Sequence, residues 1–214
     1  MQNSRISRRR FLVATGGVLA ASTLMCGGVT VLGNQMPAIE YVHASCGKEP
    51  NMNKVLVAYA SKCGSTGEVA QAIAAADLLR NDWGVEVDLW SCTSFNELAR
   101  DGHNCTRYQM LHPEEPRKLC HVAGKLADTR GPVIAATDYI RMYAEQIRPF
   151  VTQDGRRYTV LGTDGFGRSD TREQLRSFFE VDRYWITVAA LRSLVDDDKL
   201  KPAKVTAALK KYGL

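Results

Sequence analysis

From residue 54 onward, apolar and polar positions follow first a strand period and then a helix period, and the alternation repeats to the C-terminus. Val55, Leu56, Val57, Ala58, Tyr59 and Ala60 form a near-continuous apolar run, the pattern of a strand covered on both faces. After the polar loop Ser61-Lys62-Cys63-Gly64-Ser65-Thr66-Gly67, Glu68 opens a predicted helix. Its stripe of Val69, Ala72, Ile73, Ala76 and Leu79 is expected to pack back on the sheet. Val85–Trp90 alternates enough for a second strand, and Ser94-Phe95-Asn96-Glu97 has the capping-box spacing that starts a helix. Pro132–Ala136 reads as a short buried strand, followed by a helix from Asp138 with Ile140, Tyr143, Ala144 and Ile147 on one face. Tyr158–Leu161 is a fourth strand. The glycine-rich turn Gly162–Gly167 follows, then a helix bearing Leu175, Phe178 and Phe179 that Ser169 or Asp170 is expected to cap. Tyr184–Val195 and Lys201–Tyr212 complete the helices, and the order β-α-β-α with apolar strands predicts an α/β domain over 54–214.

Residues 1–53 break this pattern. Ser7-Arg8-Arg9-Arg10-Phe11-Leu12 resembles the twin-arginine signal, and a low-charge run from Phe11 to Gly33 follows it. A buried helix in its place would have to accommodate Gly16, Gly17, Gly27 and Gly28. The run is long enough to stay as a membrane anchor. Val42-His43-Ala44 fits a cleavage site, whereas Met25 before Cys26 makes a poor lipid-attachment site. Residues 1–33 are therefore expected to be a twin-arginine signal or anchor. Residues 34–53, with Pro37 and Pro50, are expected to be a flexible tether. On this reading the chain is exported or membrane-anchored, and touches membrane only through its leader.

Composition changes the picture little. Hydrophobic residues at 45% and charged residues at 24% suit a globular domain; of the net +5 charge, Arg5, Arg8, Arg9 and Arg10 contribute four, which leaves the body near neutral and gives no reason to expect a nucleic-acid partner. Of six cysteines, Cys26 and Cys46 precede the domain and Cys63, Cys92, Cys105 and Cys120 lie within it. A metal reading would gather Cys92, His103, Cys105, His112, Cys120 and His121. No pair among them has the Cys-x-x-Cys spacing of a structural zinc site, and the competing reading is ordinary thiols and histidines with no metal ligand among them. His103, His112 and His121 have no recognisable nucleophile partner, so no catalytic residue is assigned.

The loop after the first strand carries the candidate binding chemistry. Ser61, Lys62, Cys63, Gly64, Ser65 and Thr66 place hydroxyls, backbone N–H groups and one positive charge at a helix N-terminus, where phosphate is favoured. The loop resembles the phosphate loop of flavodoxin-like proteins: Ser61, Gly64 and Thr66 match, and Cys63 stands where a third hydroxyl is usual. The alternative is a strand-to-helix turn whose hydroxyls only cap the helix. If the resemblance extends to FMN, Tyr139 and Phe166 are the aromatic candidates for the flavin ring.

A longer resemblance begins near Ala75. The strings DLLRNDWGV, DLWSCTSFNELARDGHNC, RYQMLHP, AATDYIRMYAEQIRPFV and VLGTDGFGRSDTREQLRSFFEVD resemble, in order, the C-terminal domain of the homodimeric pyruvate dehydrogenase E1 component over residues 75–214. The resemblance implies a transketolase C-terminal-like fold, a three-layer α/β/α arrangement with a mostly parallel or mixed sheet. It also implies a possible homodimer, and a cytoplasmic place if it, rather than the leader, decides. Thiamine diphosphate and magnesium belong to earlier domains of that family. The family's Gly-Asp-Gly and Asn-Asn motif does not occur here, and Asp164-Gly165 is a near echo in the domain's own turn. No cofactor is therefore expected in this chain. With residues 54–74 of flavodoxin type and 75–214 of E1 type, the chain reads as a mosaic. Two function classes follow: a structural or dimerisation part of a thiamine-dependent 2-oxo acid dehydrogenase, inactive alone, and an exported FMN-binding electron carrier.

Overall fold

Four parallel strands form the centre of the molecule, a computed structural model that describes residues 54–60 and 66–214, all within one compact unit, Tyr41–Leu214. The leader and tether expected over 1–53, and the loop Ser61–Ser65, lie outside the described residues. The strands are β1 (Lys54–Ala60), β2 (Glu86–Cys92), β3 (Val133–Thr137) and β4 (Tyr158–Leu161), in the spatial order β2-β1-β3-β4. The helices are α1 (Thr66–Trp83), α2 (Phe95–Leu111), α3 (His121–Leu126), α4 (Met142–Glu145), α5 (Arg148–Val151), α6 (Arg172–Phe178), α7 (Arg183–Asp196) and α8 (Pro202–Tyr212).

Side-chain alternation along β1 divides the core in two. Val55 and Val57 point to a cluster with Ala72, Ala75, Ala76 and Leu79 of α1 and Leu191 and Leu194 of α7. Leu56 points the other way, to Phe95 and Ala99 of α2, Val122 of α3, Ala144 of α4 and Phe150 of α5. Helices thus cover both faces, the three-layer arrangement, and β3 between them is buried at every position. The sheet is parallel throughout the described strands, which narrows the expectation of a parallel or mixed one.

Three local expectations are corrected. The helix expected from Asp138 is two short helices, α4 and α5, beginning only at Met142. The Tyr139 carbonyl accepts from Thr163 N–H at 2.9 Å and the Asp138 carbonyl from the Thr163 hydroxyl at 2.8 Å, so neither is available to a helical ladder. Pro149, the second residue of α5, has no N–H to offer the Glu145 carbonyl, so the helical ladder of α4 does not continue into α5. Ile140 and Tyr143, expected to share one face with Ala144 and Ile147, are each 42% exposed, whereas Ala144 and Ile147 are buried. The cap of α6 is Thr171, whose hydroxyl accepts from Gln174 N–H at 3.3 Å; Asp170 instead accepts from Thr171 N–H. Ile73 is 46% exposed, because Ala72, Ala75, Ala76 and Leu79 form the inward stripe of α1 and Ile73 falls on its flank. Ser94 does cap α2, accepting from Glu97 N–H at 3.3 Å, while the Glu97 carboxylate pairs with Arg100.

Candidate functional site

The strand order locates the place where a ligand or partner would meet this sheet. The β1-to-β2 crossover runs through α1 on one face and the β2-to-β3 crossover through α2 and α3 on the other. The winding therefore reverses between β1 and β3, and doubly wound sheets use the crevice outside the carboxyl ends at such a point. In register, Ala60 of β1 stands beside Cys92 of β2 and Thr137 of β3. The candidate phosphate loop leaves β1 here. Ser61, Lys62, Cys63, Gly64 and Ser65 lie outside the described residues; Thr66 is the first residue of α1, its side chain likewise outside.

The loops after β3 and β4 are fastened together at this end. Arg141 donates through its backbone N–H to Asp164 Oδ1 at 2.8 Å, and its Nε lies 3.1 Å from Oδ2. Asp138 accepts from the Arg176 guanidinium of α6, Nη2 to Oδ2 at 2.7 Å, with Arg176 only 8% exposed. A Cβ on Gly162 would stand 2.8 Å from the Tyr139 oxygen and from Arg141 N, so the absence of a side chain there lets the two loops meet. These ties were not legible in the sequence, since the partners stand 23 and 38 residues apart.

On this frame the side chains point outward. Tyr139 is 41% exposed and packs edge-on against Tyr143, ring centroids 5.6 Å apart; Phe166 is almost wholly exposed. Ile140, Met142 and Phe178 are exposed as well, with the Arg168 guanidinium 4.5 Å over the Phe178 ring. Tyr139 and Phe166, the two residues singled out as flavin candidates, thus stand on loops tied to each other.

The magnesium-diphosphate chemistry of the resembled family does not fit Asp164. Both of its carboxylate oxygens are engaged by Arg141, which neutralises the charge a divalent ion would need. Among the described residues no three His, Cys, Asp or Glu side chains gather as a metal cluster. His103 packs edge-on against Phe150, His112 lies 3.5 Å from Glu115, and the His121 backbone N–H donates to Asp101 at 2.7 Å.

A second concavity opens along β2, the edge strand. It encloses about 530 Å³ between Leu56, Trp90, Cys92, Leu98, Val122 and Leu126, with Arg80 and Lys125 at its margin. Burial pushes the Cys92 thiol up to about 12, so this sulfur is a neutral packing group. Burial likewise raises the Tyr158 phenol, whose hydroxyl donates to the Ala144 carbonyl at 2.8 Å. Sequence periodicity missed this cavity because its walls are gathered from several elements, among them β1, β2, α1, α2 and α3.

Comparison with known proteins agrees with this architecture. The Transketolase-like TK C-terminal domain family matches residues 41–182, a stretch that includes β1, α1 and the loop between them. The chain is similar to the pyruvate dehydrogenase E1 component of Cupriavidus necator, 63% identical over 144 residues, covering 67% of this chain and 16% of that protein. It is also similar to the same component of Pseudomonas aeruginosa, 54% identical over 140 residues, covering 65% of this chain and 16% of that protein. Among solved structures it is similar to a split gene transketolase described as an inactive beta4 tetramer, with 12% identity and a TM-score of 0.49, covering 68% of this chain and 40% of that one. The chain spans about 16% of the length of the two curated relatives. With well over half of its residues matched, this chain belongs to the Transketolase-like TK C-terminal domain family.

Proposed function

We propose that this chain is a docking and self-association part of a thiamine-diphosphate-dependent 2-oxo acid dehydrogenase of the pyruvate dehydrogenase E1 type, and that it does not decarboxylate pyruvate alone. The observation that carries this reading is the carboxyl-end face. Tyr139, Ile140, Met142, Tyr143, Phe166 and Phe178 are all exposed on loops and two short helices, α4 and α6, held by the Arg141–Asp164 and Arg176–Asp138 pairs. A preordered apolar face loses little entropy when a partner covers it, and aromatic anchors supply most of the energy in such contacts. The E1 relatives are several times longer than this chain, which leaves room for a thiamine-binding part as the other side of the contact. The twin-arginine pattern Ser7–Leu12 supports export of the chain, a separate proposal tested by whether Arg8→Lys with Arg9→Lys retains it in the cytoplasm.

Light scattering at high micromolar concentration tests self-association. A dimer is expected, and Tyr143→Ser with Phe166→Ser should yield a monomer with an unchanged circular dichroism spectrum; a monomer in the unaltered chain removes this part of the proposal. Incubation with thiamine diphosphate, magnesium and pyruvate should release no carbon dioxide above the blank. Release that stops when the cofactor is withheld would show that the chain is an enzyme by itself.

A further inference from the structure

We infer that Cys105 and Cys120 form an oxidisable pair, a site at which a disulfide closes between α2 and the segment entering α3. Neither residue belongs to the carboxyl-end face. Two hydrogen bonds fix how that segment runs along the helix. The Asp101 carboxylate accepts from the His121 backbone N–H at 2.7 Å, and the Gln109 side-chain oxygen accepts from the Lys118 backbone N–H at 3.0 Å. Asp101, Cys105 and Gln109 are successive i, i+4 positions of α2, so they lie on neighbouring turns of one side. The helix rises about 12 Å from Asp101 to Gln109, and an extended chain from Lys118 to His121 covers about 10 Å. The segment therefore runs antiparallel to α2 with both ends pinned, and Cys105 is the turn midway between the pins, opposite Leu119 and Cys120. Leu119 is 52% exposed and Cys120 only 4%, so of these two it is the cysteine that turns inward toward the helix.

The surroundings agree. Cys105 and Cys120 line one cavity of about 330 Å³, together with Gly102, Thr106 and Phe150, and Cys105 packs against the core cluster that contains Cys120. Gly102, one turn from Cys105, holds the Phe150 ring so close that a Cβ there would stand 2.3 Å from it, which keeps this side of α2 seated on the core. Burial, the Asp101 carboxylate and Cys120 hold the Cys105 thiol above its ordinary value, with Lys118 opposing them; this lowers its thiolate fraction and slows closure, so the pair is brought together by geometry and not by an activated thiol. Both cysteines are thiols in this structure.

The chemistry needs a disulfide as oxidant, and oxidised glutathione supplies it. The half-exposed Cys105, as thiolate, attacks one glutathione sulfur and releases one glutathione thiolate. Cys120, as thiolate, then attacks Cys105 Sγ and releases the second. Two electrons pass from the cysteine pair to the oxidant, and the two thiol protons end on two molecules of reduced glutathione.

The test is equilibration of the full chain in a glutathione redox buffer, acid quench and tryptic mapping without reductant, once in native buffer and once in concentrated urea. The tryptic peptides Asp101–Arg107 and Leu119–Lys125 should stay joined, lighter by two hydrogens. The ratio of closed to reduced pair should be at least about tenfold higher in the folded chain than in urea, because the fold holds the thiols closer than a flexible loop does. Equal ratios, glutathione adducts without the joined peptide, or links running to Cys26, Cys46 or Cys63 instead would overturn the proposal. No variant is needed, so a misfolded mutant cannot obscure the outcome.

Discussion

The indole N–H of Trp83, the last residue of α1, donates to the hydroxyl of Tyr212, the last residue of α8, at 2.8 Å across 129 residues of sequence. Asp82 completes the clasp: Tyr212 donates to its carboxylate at 3.2 Å and Lys211 pairs with it at 2.8 Å. The C-terminal helix is thereby sewn to the first helix of the sheet, with the Trp83 and Tyr212 rings edge to face at 6.5 Å. Tyr212→Phe keeps the ring contact and removes both hydrogen bonds. Equilibrium urea unfolding should show a loss of about 1–2 kcal/mol, and no change in midpoint would show that water replaces the clasp at no cost.

Acid should weaken the same clasp. The side-chain bond from Lys211 holds the Asp82 carboxyl below its ordinary value; burial opposes it, and the bond from Tyr212 adds to the lowering. A carboxyl depressed in the folded state contributes stability that is complete above its unfolded value near 4 and is lost as pH falls through the depressed one. Thermal melts from pH 6 downward should therefore fall less steeply for Asp82→Asn than for the unaltered chain. Parallel curves would mean that Asp82 titrates alike in both states.

Gly131→Ala should be severely destabilising. Gly131 has φ +98°, and a Cβ there would stand 1.8 Å from the Lys54 carbonyl oxygen at the start of β1. Backbone strain and the collision between β1 and the entry to β3 together cost roughly 2–4 kcal/mol. Gly155→Ala, also at positive φ but with nothing within 4 Å, isolates the strain from the collision. Urea midpoints of the two variants should differ clearly, with Gly131→Ala the lower.

Cys92 should resist alkylation in the native protein. With its thiol pushed up to about 12, on the order of one molecule in ten thousand carries the thiolate at pH 8. Iodoacetamide followed by peptide mapping should modify Cys92 only after urea is added. Native labelling at the rate of a free thiol would show that the edge cavity opens to solvent.

Phosphate should bind weakly, and FMN more weakly still, at the loop after β1. One helix N-terminus and one lysine contribute about a kcal/mol each to anion binding. A flavin also needs an apolar slot for its ring. Titrating FMN while following its fluorescence should show no quenching at submicromolar concentration. Quenching that is lost on Ser61→Ala with Thr66→Ala would instead make this an electron carrier.

Much of the architecture was legible in the sequence because it rests on short-range regularities. Val55 and Val57 against Leu56, the apolar Pro132–Ala136 run and the Ser94 cap each express one period or one local hydrogen bond, and each falls where the spacing predicted. The ordered strings after Ala75 likewise identified the domain family from residues alone. Tertiary structure decided what depended on residues distant in the chain. The face predicted to run on from Asp138 is broken because Thr163, on another loop, takes the carbonyls that a helix would use. Ile73 has the right spacing for the core stripe of α1, yet faces the edge cavity, since the sheet accepts only the narrower row of alanines and Leu79. The Asp138–Arg176 pair and the Cys105–Cys120 juxtaposition come from the packing of elements against one another, and periodicity within one element carries no information about its neighbour.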